Sequence, residues 1–284
     1  MMIKPIVIFI VLFPLAPALA HPGIGIVVDS KGNVFYTDLK HVWRIAPDGR
    51  KTIAVRNVHT HELAIDHEDN LYGEHLWYEG ERTDRWGHYI WRLGADGTLT
   101  VIVPPRKGFR DDYGDFSFVR DREGNQYWVD REDHAVRKRS VDGTVSTVAV
   151  SQFRNVRWMT VTPGGTVFLM DLHDLVRVGK DGSVRSVAHK LPQNKKAFLF
   201  FTNEHAVMGL AADDAENVYV AVSADQVVRK VTREGKVMDV VRSKSPWAPT
   251  GVCIGPNGAV YVLESAGSDV RVRKVEANGE ARIL

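Results

Sequence analysis

The stretch "GIVVDSKGNVFYTD" at residues 25–38 places a tight turn of Asp, Gly and Asn between two short apolar runs. Five further stretches repeat its pattern. They are "ELAIDHEDNLYGEH" (62–75), "SFVRDREGNQYWVD" (117–130), "WMTVTPGGTVFLMD" (158–171), "GLAADDAENVYVAV" (209–222) and "GVCIGPNGAVYVLE" (251–264). A unit that recurs about every 40 residues indicates a repeat architecture in which each unit stacks on its neighbours.

Each copy is followed by a second segment of strand, turn and strand, as in "HVWRIAPDGRKTIAV" (41–55) and "DLVRVGKDGSVRSVA" (174–188). Every unit therefore holds four short strands joined by tight turns. Six such units predict an all-β fold, a six-bladed β-propeller with four antiparallel strands per blade. The repeats begin near residues 24, 62, 116, 158, 208 and 251, so residues 21–284 are expected to form one propeller domain.

Two columns of the repeat fix its register. The second residue after the turn is aromatic in all six copies: Phe35, Tyr72, Tyr127, Phe168, Tyr219 and Tyr261. A later position is basic in all six: Arg44, Arg92, Lys138, Arg177, Lys230 and Lys274. We expect the rings to pack between adjacent sheets. The basic column is either a patch for a polyanion or a structural feature of each blade, and the second is favoured because six radially spread charges do not form one patch.

The chain starts on a first strand and ends on a fourth strand, so each blade is predicted to be one contiguous repeat. Ring closure then needs only the packing of the first blade against the last, without strand exchange. A closed ring also buries both faces of every blade, which a single blade cannot do.

These repeats resemble NHL repeats and, more broadly, propellers of the SMP-30/gluconolactonase type, over about residues 24–284. The resemblance rests on "GIVVDSKGNVFYTD…VWRIAPDG" and its five relatives. It implies the propeller fold. It leaves the activity open, because propellers of this kind include lactonases, lyases and pure binding proteins.

The N-terminus "MMIKPIVIFIVLFPLAPALA" (1–20) predicts a signal peptide. Lys4 is the positive region, residues 6–13 are the apolar region, and Ala18-Leu19-Ala20 is an A-x-A cleavage site. We therefore expect cleavage near Ala20-His21 and export to the periplasm or the medium. The apolar run is too short for a transmembrane helix, which needs about 20 residues.

The net charge and the cysteine content limit which partners and cross-links are expected. The 284 residues carry a formal charge of +2, which is too small a bias to predict binding to nucleic acid or to an anionic membrane. Cys253 is the single cysteine, so no intramolecular disulfide can form. The expected partner is a small molecule, a glycan or a protein, and the chain is expected to be a monomer.

Loop length distinguishes the two ends of the predicted propeller. The turns between first and second strands are short in all six repeats, and so are those between third and fourth strands. The long segments fall on the opposite end: 74–89, 104–115, 190–207 and 243–250. Binding residues concentrate on the variable loops of a repeated scaffold. Their aromatic residues, Trp77, Tyr78, Trp86, Phe198, Phe200, Phe201 and Trp247, form either a binding surface or a lid over the channel.

Candidate site residues follow from this choice of end. The ligand-binding candidates are Glu74, His75, Trp77, Tyr78, Trp86, Asn155, Arg157 and Trp247. The metal-binding candidates are His59, His61, Glu62, Asp115, Asn155, Glu204 and His205, which precede first strands and are expected to face the top of the channel together with His21. Imidazoles favour Zn²⁺, whereas carboxylate and amide oxygens favour Ca²⁺. Glu62, Asp115 and His205 are candidates for catalysis.

The resemblance also implies where a metal would be held. Calcium lactonases of the SMP-30 type carry Asn or Asp in the column that here holds Ile24, His61, Phe116, Arg157, Met208 and Thr250. Zinc-dependent propeller lyases of the amidating type carry His there in several blades. Only His61 matches a ligand type, and Asn155 or Asp115 would join only if the register slips by one or two residues.

The polar run that follows is interpreted as scaffold. Asp66 falls in a column of turn aspartates with Asp29, Asp121 and Asp213, and His67, Glu68 and Asp69 complete the same turn. Two functions remain open at this point: an exported binding propeller, or a metal-dependent hydrolase of lactone-like substrates.

Overall fold

The computed structural model describes residues 22–79, 85–108, 116–193 and 205–284. Within these ranges the chain forms six antiparallel sheets, each built from consecutive strands. Blade 1 comprises β1 (Ile26–Val28), β2 (Val34–Thr37), β3 (His41–Ile45) and β4 (Lys51–Arg56), and blade 2 comprises β5 (Leu63–Ile65), β6 (Leu71–Tyr78), β7 (Trp86–Leu93) and β8 (Leu99–Lys107). Blade 3 comprises β9 (Gln126–Asp130), β10 (Ala135–Arg139) and β11 (Val145–Val150).

The second half of the ring repeats the pattern. Blade 4 comprises β12 (Val156–Val161), β13 (Val167–Asp171), β14 (Asp174–Val178) and β15 (Val184–Ala188). Blade 5 comprises β16 (Leu210–Ala212), β17 (Val218–Val222), β18 (Val227–Val231) and β19 (Val237–Arg242), and blade 6 comprises β20 (Ala248–Ile254), β21 (Val260–Ala266), β22 (Asp269–Val275) and β23 (Ala281–Ile283). The predicted six-bladed β-propeller is confirmed.

Blade 3 departs from the four-strand pattern because its innermost segment makes a single β-bridge, between Arg120 and Gln126. Side chains take over part of the ladder there. The Gln126 side-chain oxygen accepts the amide hydrogen of Ser117 at 2.8 Å, and the Ser117 hydroxyl donates to the Tyr127 carbonyl at 2.5 Å. The segment thus keeps its place beside β9 with few of the regular backbone bonds.

Apolar packing between neighbouring blades holds the ring together. The six aromatic residues of the repeat each belong to a different buried cluster, and each cluster joins two adjacent blades. Tyr261 of blade 6 packs with Ile26, Val34 and Tyr36 of blade 1, where the two ends of the chain meet. The predicted packing role of the aromatic column and the predicted closure without strand exchange are both confirmed.

The basic column lies directly across each blade from the aromatic column. In every blade the aromatic residue of the second strand and the basic residue of the third strand are register partners, as in Tyr219 with Lys230 and Tyr261 with Lys274. The ammonium groups of those two lysines lie 5.3 and 5.6 Å from the ring centroids, within cation–π range. This pairing supports the structural interpretation of the column.

The short turns at residues 29–33, 66–70, 121–125, 162–166, 213–217 and 255–259 define the tight-turn end of the propeller. In four of them an Asp accepts the amide hydrogen of the Asn four residues later, at 2.7–2.9 Å. In blade 2 that Asp is Asp66, and His67 and Glu68 are exposed in the turn. Asp69 accepts two hydrogen bonds from Ser30 of blade 1. The scaffold interpretation of this turn is confirmed.

The innermost strands surround a central channel of about 810 Å³. Its walls are of mixed polarity, and Ile26, Ile65, Val161 and Ala212 are among the apolar lining residues. Among the helices of the described ranges, none has the length and apolar character needed to cross a membrane. The end opposite the tight turns, which carries residues 57–62 and the β6–β7 connection, is called the loop-rich end below.

Candidate functional site

The second blade carries a longer hairpin than its neighbours. β6 and β7 have eight residues each, whereas the second strands of blades 1, 3, 4 and 5 have four or five. In register, Thr37 at the end of β2 corresponds to Glu74, so β6 continues four residues further. At about 3.3 Å per residue the hairpin extends about 13 Å past the level of blade 1 at the loop-rich end.

The expected loop over residues 74–89 is therefore wrong for most of its length. The strands continue through Tyr78 and resume at Trp86, and those two residues are register partners. Aromatic cross-strand pairs stabilise an antiparallel ladder, which accounts for the extension. Gly87 leaves room for the Trp77 ring, because a Cβ at that glycine would lie 2.4 Å from it. Pro104 and Pro105, also expected in a loop, lie in the edge strand β8, a position that prolines tolerate.

This aromatic hairpin, β6–β7, presents rings on both of its faces. On one face the His75 and Trp77 rings are stacked with centroids 6.1 Å apart, and the Tyr89 ring lies 5.0 Å from His75. On the other face Tyr78 is 56% exposed, and Trp86 beside it is half-buried. The projecting part of the blade is thus an amphipathic aromatic surface at the loop-rich end.

Imidazoles gather at the base of the hairpin. The Nε2 atoms of His59 and His61 lie 3.3 Å apart, and Nδ1 of His61 lies 3.7 Å from Oε1 of Glu74. The Nδ1 atom of His75 accepts the amide hydrogen of His59 at 3.0 Å. Since Nδ1 of His75 is an acceptor, that ring carries its proton on Nε2. Glu74, His61 and His59 thus form one contiguous polar cluster.

Buried hydroxyl and indole groups hold this cluster in place. The Thr60 hydroxyl and the Trp91 indole both donate to the carbonyl of Glu74, the second at 2.9 Å. The Thr37 hydroxyl of blade 1 donates to the carbonyl of Thr60 at 2.7 Å. The histidine cluster is therefore anchored to two blades, and its geometry does not depend on the long loops.

Burial shifts two of the histidines toward the neutral form. Desolvation lowers the pKa of His59, and the neighbouring His61 and His75 lower it further while Glu74 acts in the opposite sense. Desolvation also lowers the pKa of His75. Both rings are consequently neutral at pH 7, the form in which imidazole accepts hydrogen bonds and binds metals.

The fit to a metal ion is partial. Within residues 22–79, 85–108, 116–193 and 205–284, no three His, Cys, Asp or Glu side chains form a group that could hold an ion. The 3.3 Å separation of the His59 and His61 nitrogens suits two ligands of one Zn²⁺. The oxygen ligands that Ca²⁺ prefers are not assembled there. His21, Asp115 and Glu204 lie outside the described residues.

The remaining candidates do not join the hairpin. Glu62 and Arg157 line the channel, and Asn155 is exposed on blade 4 with its amide hydrogen bonded to Asp171. His205 is half-buried at the start of the blade 5 segment. Trp247 lies on blade 6, where the guanidinium of Arg271 sits 4.0 Å from its ring centroid. The structure thus brings together only the blade 2 candidates, namely His59, His61, Glu74, His75, Trp77, Tyr78 and Trp86.

Two features were missed by sequence reasoning. Tyr89 completes the stack on His75, and counting the register outward from the Tyr72–Arg92 pair would have placed it there. Glu264 is fully buried and accepts hydrogen bonds from Ser243, Arg271 and Arg273 at 2.6–2.9 Å. Burial opposes ionisation of this carboxyl, but the three donors outweigh it and lower its pKa.

Comparison with solved structures places the fold. A gluconolactonase from Xanthomonas campestris is 13% identical, with 92% of this chain and 85% of that chain covered at a TM-score of 0.58. A virginiamycin B lyase from Staphylococcus aureus is 12% identical, with 93% and 84% covered at 0.53. The chain shares the propeller fold of these proteins. The resemblance expected from the repeats is confirmed at the level of the fold.

A protein of unknown function from Bacteroides thetaiotaomicron has the same architecture, at 14% identity, 91% and 70% coverage and a TM-score of 0.61. No protein-family model matches the chain, and no curated protein matches it. Identities this low establish the fold alone, so the function has to be argued from the site.

Proposed function

We propose that the protein is an exported propeller that binds a small molecule, a glycan or a protein at its loop-rich end, around the mouth of the central channel. The observation that carries this proposal is the aromatic hairpin. It extends about 13 Å past the neighbouring blade and presents Trp77, Tyr78 and Trp86 beside the histidine cluster. Aromatic side chains give large contact area at low entropic cost, which is why they are enriched in binding surfaces.

The polar groups next to the rings fit the same role. The neutral imidazoles of His59 and His75 can donate or accept hydrogen bonds, and half-buried Glu62 lines the channel one residue beyond His61. A mixture of ring faces and a few convergent polar groups is the usual make-up of a ligand site. The tight-turn end is more uniform, since its turns are alike in five blades, each with a side chain that accepts the amide hydrogen four residues later.

Intrinsic tryptophan fluorescence tests the binding proposal. The purified protein is titrated with a panel of mono- and oligosaccharides and screened against an immobilised glycan array. We expect a ligand that quenches or shifts the emission and that loses at least tenfold in affinity in Trp77→Ala and in Trp86→Ala. Lys180→Ala, in a short turn at the opposite end, is the matched control. If a ligand binds both hairpin variants normally but fails to bind Lys180→Ala, the binding site lies at the tight-turn end and the proposal is contradicted.

Export forms a separate part of the proposal and rests on Lys4, the apolar residues 6–13 and Ala18-Leu19-Ala20. N-terminal sequencing of protein recovered from the periplasm or the medium should begin at His21. Recovery of an intact Met1 in the cytoplasmic fraction would contradict it.

A metal-dependent hydrolase of lactone-like substrates is the second candidate, favoured by the spacing of the His59 and His61 nitrogens. These two residues would hold the ion, with the Glu74 carboxylate near Nδ1 of His61 to fix its tautomer. A bound metal would supply a Lewis acid and an activated water. The protein's own contribution is to lower the pKa of His59 by burial and to anchor both residues through Thr60.

Metal analysis separates the two candidates. Stoichiometric Zn²⁺ or Ca²⁺ in the purified protein, lost in the His59→Ala, His61→Ala double variant together with hydrolysis of an aldonolactone panel, would favour the hydrolase. A metal-free protein whose melting temperature is unchanged by Zn²⁺ and Ca²⁺ would leave the binding function.

A further inference from the structure

Charge is unevenly distributed along the central channel. Among the described lining residues the charged ones are Glu62, Arg120, Asp130, Arg131, Glu132 and Arg157. Five of these lie toward the loop-rich end: Glu62 just before β5, Arg157 at the start of β12, and the other three at the end of β9 and in the β9–β10 turn. Arg120 is the exception, because it directly precedes the short turn 121–125. The half of the channel next to the tight-turn end is otherwise lined by apolar residues such as Ile65, Val161 and Ala212.

The guanidinium of Arg120 rests on two aromatic rings. Its Cζ atom lies 4.3 Å from the ring centroid of Tyr72 and 4.6 Å from that of Phe116. Its hydrogen bond runs from Nε to the carbonyl of Ser117 at 3.4 Å, and no carboxylate of the described ranges forms an ion pair with it. The side chain is half-buried, and desolvation lowers its pKa from the usual arginine value. The carboxylate of Asp66 attracts the guanidinium without forming an ion pair with it, so the positive charge of Arg120 is offset only in part.

Four other arginines that are largely shielded from solvent are paired with carboxylates. Arg137 bonds to Asp130, Arg177 to Glu216, Arg229 to Asp225, and Arg273 to Glu264. Arginine is seldom buried without a partner, because removing its charge from water is costly unless an anion compensates. Against this background Arg120 is the departure that needs an explanation.

A second guanidinium adds positive potential to the same blade interface. Arg92 is the register partner of Tyr72, and its Nε is buried without a hydrogen-bond partner in the described part of the chain. The nearby carboxylate of Asp66 accepts hydrogen bonds from the Asn70 amide and the Tyr72 hydroxyl, so it is already engaged. The field at the Arg120 end of the channel favours an anion from outside the chain.

We propose that Arg120 binds a small oxyanion, a carboxylate or phosphate group, inside the tight-turn half of the central channel. The planar guanidinium suits bidentate contact with such a group, and the aromatic and aliphatic side chains beside it lower the local dielectric and so strengthen the charge-assisted bonds. Tyr72 and Phe116 hold the guanidinium plane in position. This site is independent of the aromatic hairpin at the loop-rich end, so either can exist without the other.

The test uses inorganic phosphate and succinate as probes, against chloride at equal ionic strength. At ten times the dissociation constant, either anion should raise the melting temperature of the purified protein by about 3 °C. The rise should disappear in Arg120→Met, which keeps an apolar side chain of similar length on the two rings. Arg185→Met is the control, since it removes one positive charge from the exposed outer strand β15. The tighter of the two probes identifies the oxyanion as a phosphate or a carboxylate.

A spectroscopic readout covers the case in which Arg120→Met fails to fold. The Nε–H resonance of Arg120, assigned by its absence from the spectrum of Arg120→Lys, should move in the unmodified protein as phosphate or succinate is added. A resonance that stays fixed through both titrations, or a melting shift that persists undiminished in Arg120→Met, would overturn the proposal.

Discussion

The seam between blade 6 and blade 1 is expected to be the weakest point of the ring. Only packing closes it, since no strand crosses from one blade to the other. Tyr261 fills this interface with 6% of its surface exposed, in a cluster with Ile26, Val34 and Tyr36. Truncating a buried aromatic residue to alanine costs about 3–5 kcal/mol, and losing the contact with Lys274 adds about 0.5 kcal/mol.

Tyr261→Ala should therefore lower the free energy of unfolding by about 4 kcal/mol and the melting temperature by roughly 8–15 °C. The loss should also be local. Once the seam opens, blades 1 and 6 become the free ends of an open array, and each retains a single neighbour. Amide hydrogen exchange in β2 and β21 should accelerate about 100-fold or more, while β13 on the far side of the ring changes less.

Tyr219→Ala is the matched control. This tyrosine is 8% exposed, faces Lys230 at 5.3 Å and fills the interface of blades 5 and 6, which the chain itself links. We expect a similar loss of stability by urea titration, with exchange spread evenly over the ring because the linked blades reclose. Uniform exchange in both variants would refute the idea that closure by packing alone creates a weak seam.

Three further outcomes are expected. The pKa values of His59 and His75 are lower in the folded protein than in the unfolded chain, so the unfolded chain binds more protons below about pH 6.5. Stability should therefore fall as the pH drops through that value. His75→Asn should reduce the slope of the unfolding free energy against pH. Glu264→Gln should cost about 3–5 kcal/mol in urea titration, because it leaves two arginines without their carboxylate, and a loss below 1 kcal/mol would contradict the assigned pairing. Lys180→Ala should change stability by no more than about 0.5 kcal/mol, since the residue is exposed in a turn.

The repeat made most of the fold predictable. The aromatic and basic columns fixed the register within each blade, and the structure pairs them directly, as in Tyr72 with Arg92. The position of the turns followed from the Asp and Asn that cap them, such as Asp66 and Asn70. The two columns recur in six blades and the Asp–Asn turn in four, so an error at one copy is corrected by the others.

The site was less predictable because it breaks the repeat. Residues 74–89 look like an insertion when aligned with the other copies, yet cross-strand pairing of Tyr78 with Trp86 turns most of them into strand. In the sequence, an extended hairpin differs from a loop only in the alternation of aromatic and other side chains along each strand. That alternation is a weak signal when it occurs in one blade alone. Arg120 was missed because it lies inside a regular part of the repeat. Other repeats carry apolar residues such as Val28, Ile65 and Ala212 at the same strand position.

The histidine cluster lies between the aromatic hairpin and the mouth of the central channel. His61 faces Glu74 at the base of the hairpin, its carbonyl accepts amide hydrogens from Ile24 and Gly25 of blade 1, and the next residue, Glu62, lines the channel. A ligand seated on the hairpin is thus one residue away from the channel mouth. Arg120 stands at the far end of the same channel, beyond an apolar stretch that carries no other charge in the described residues. A ligand that extends an acidic group down the channel could contact both positions, whereas separate ligands would bind the two without competing.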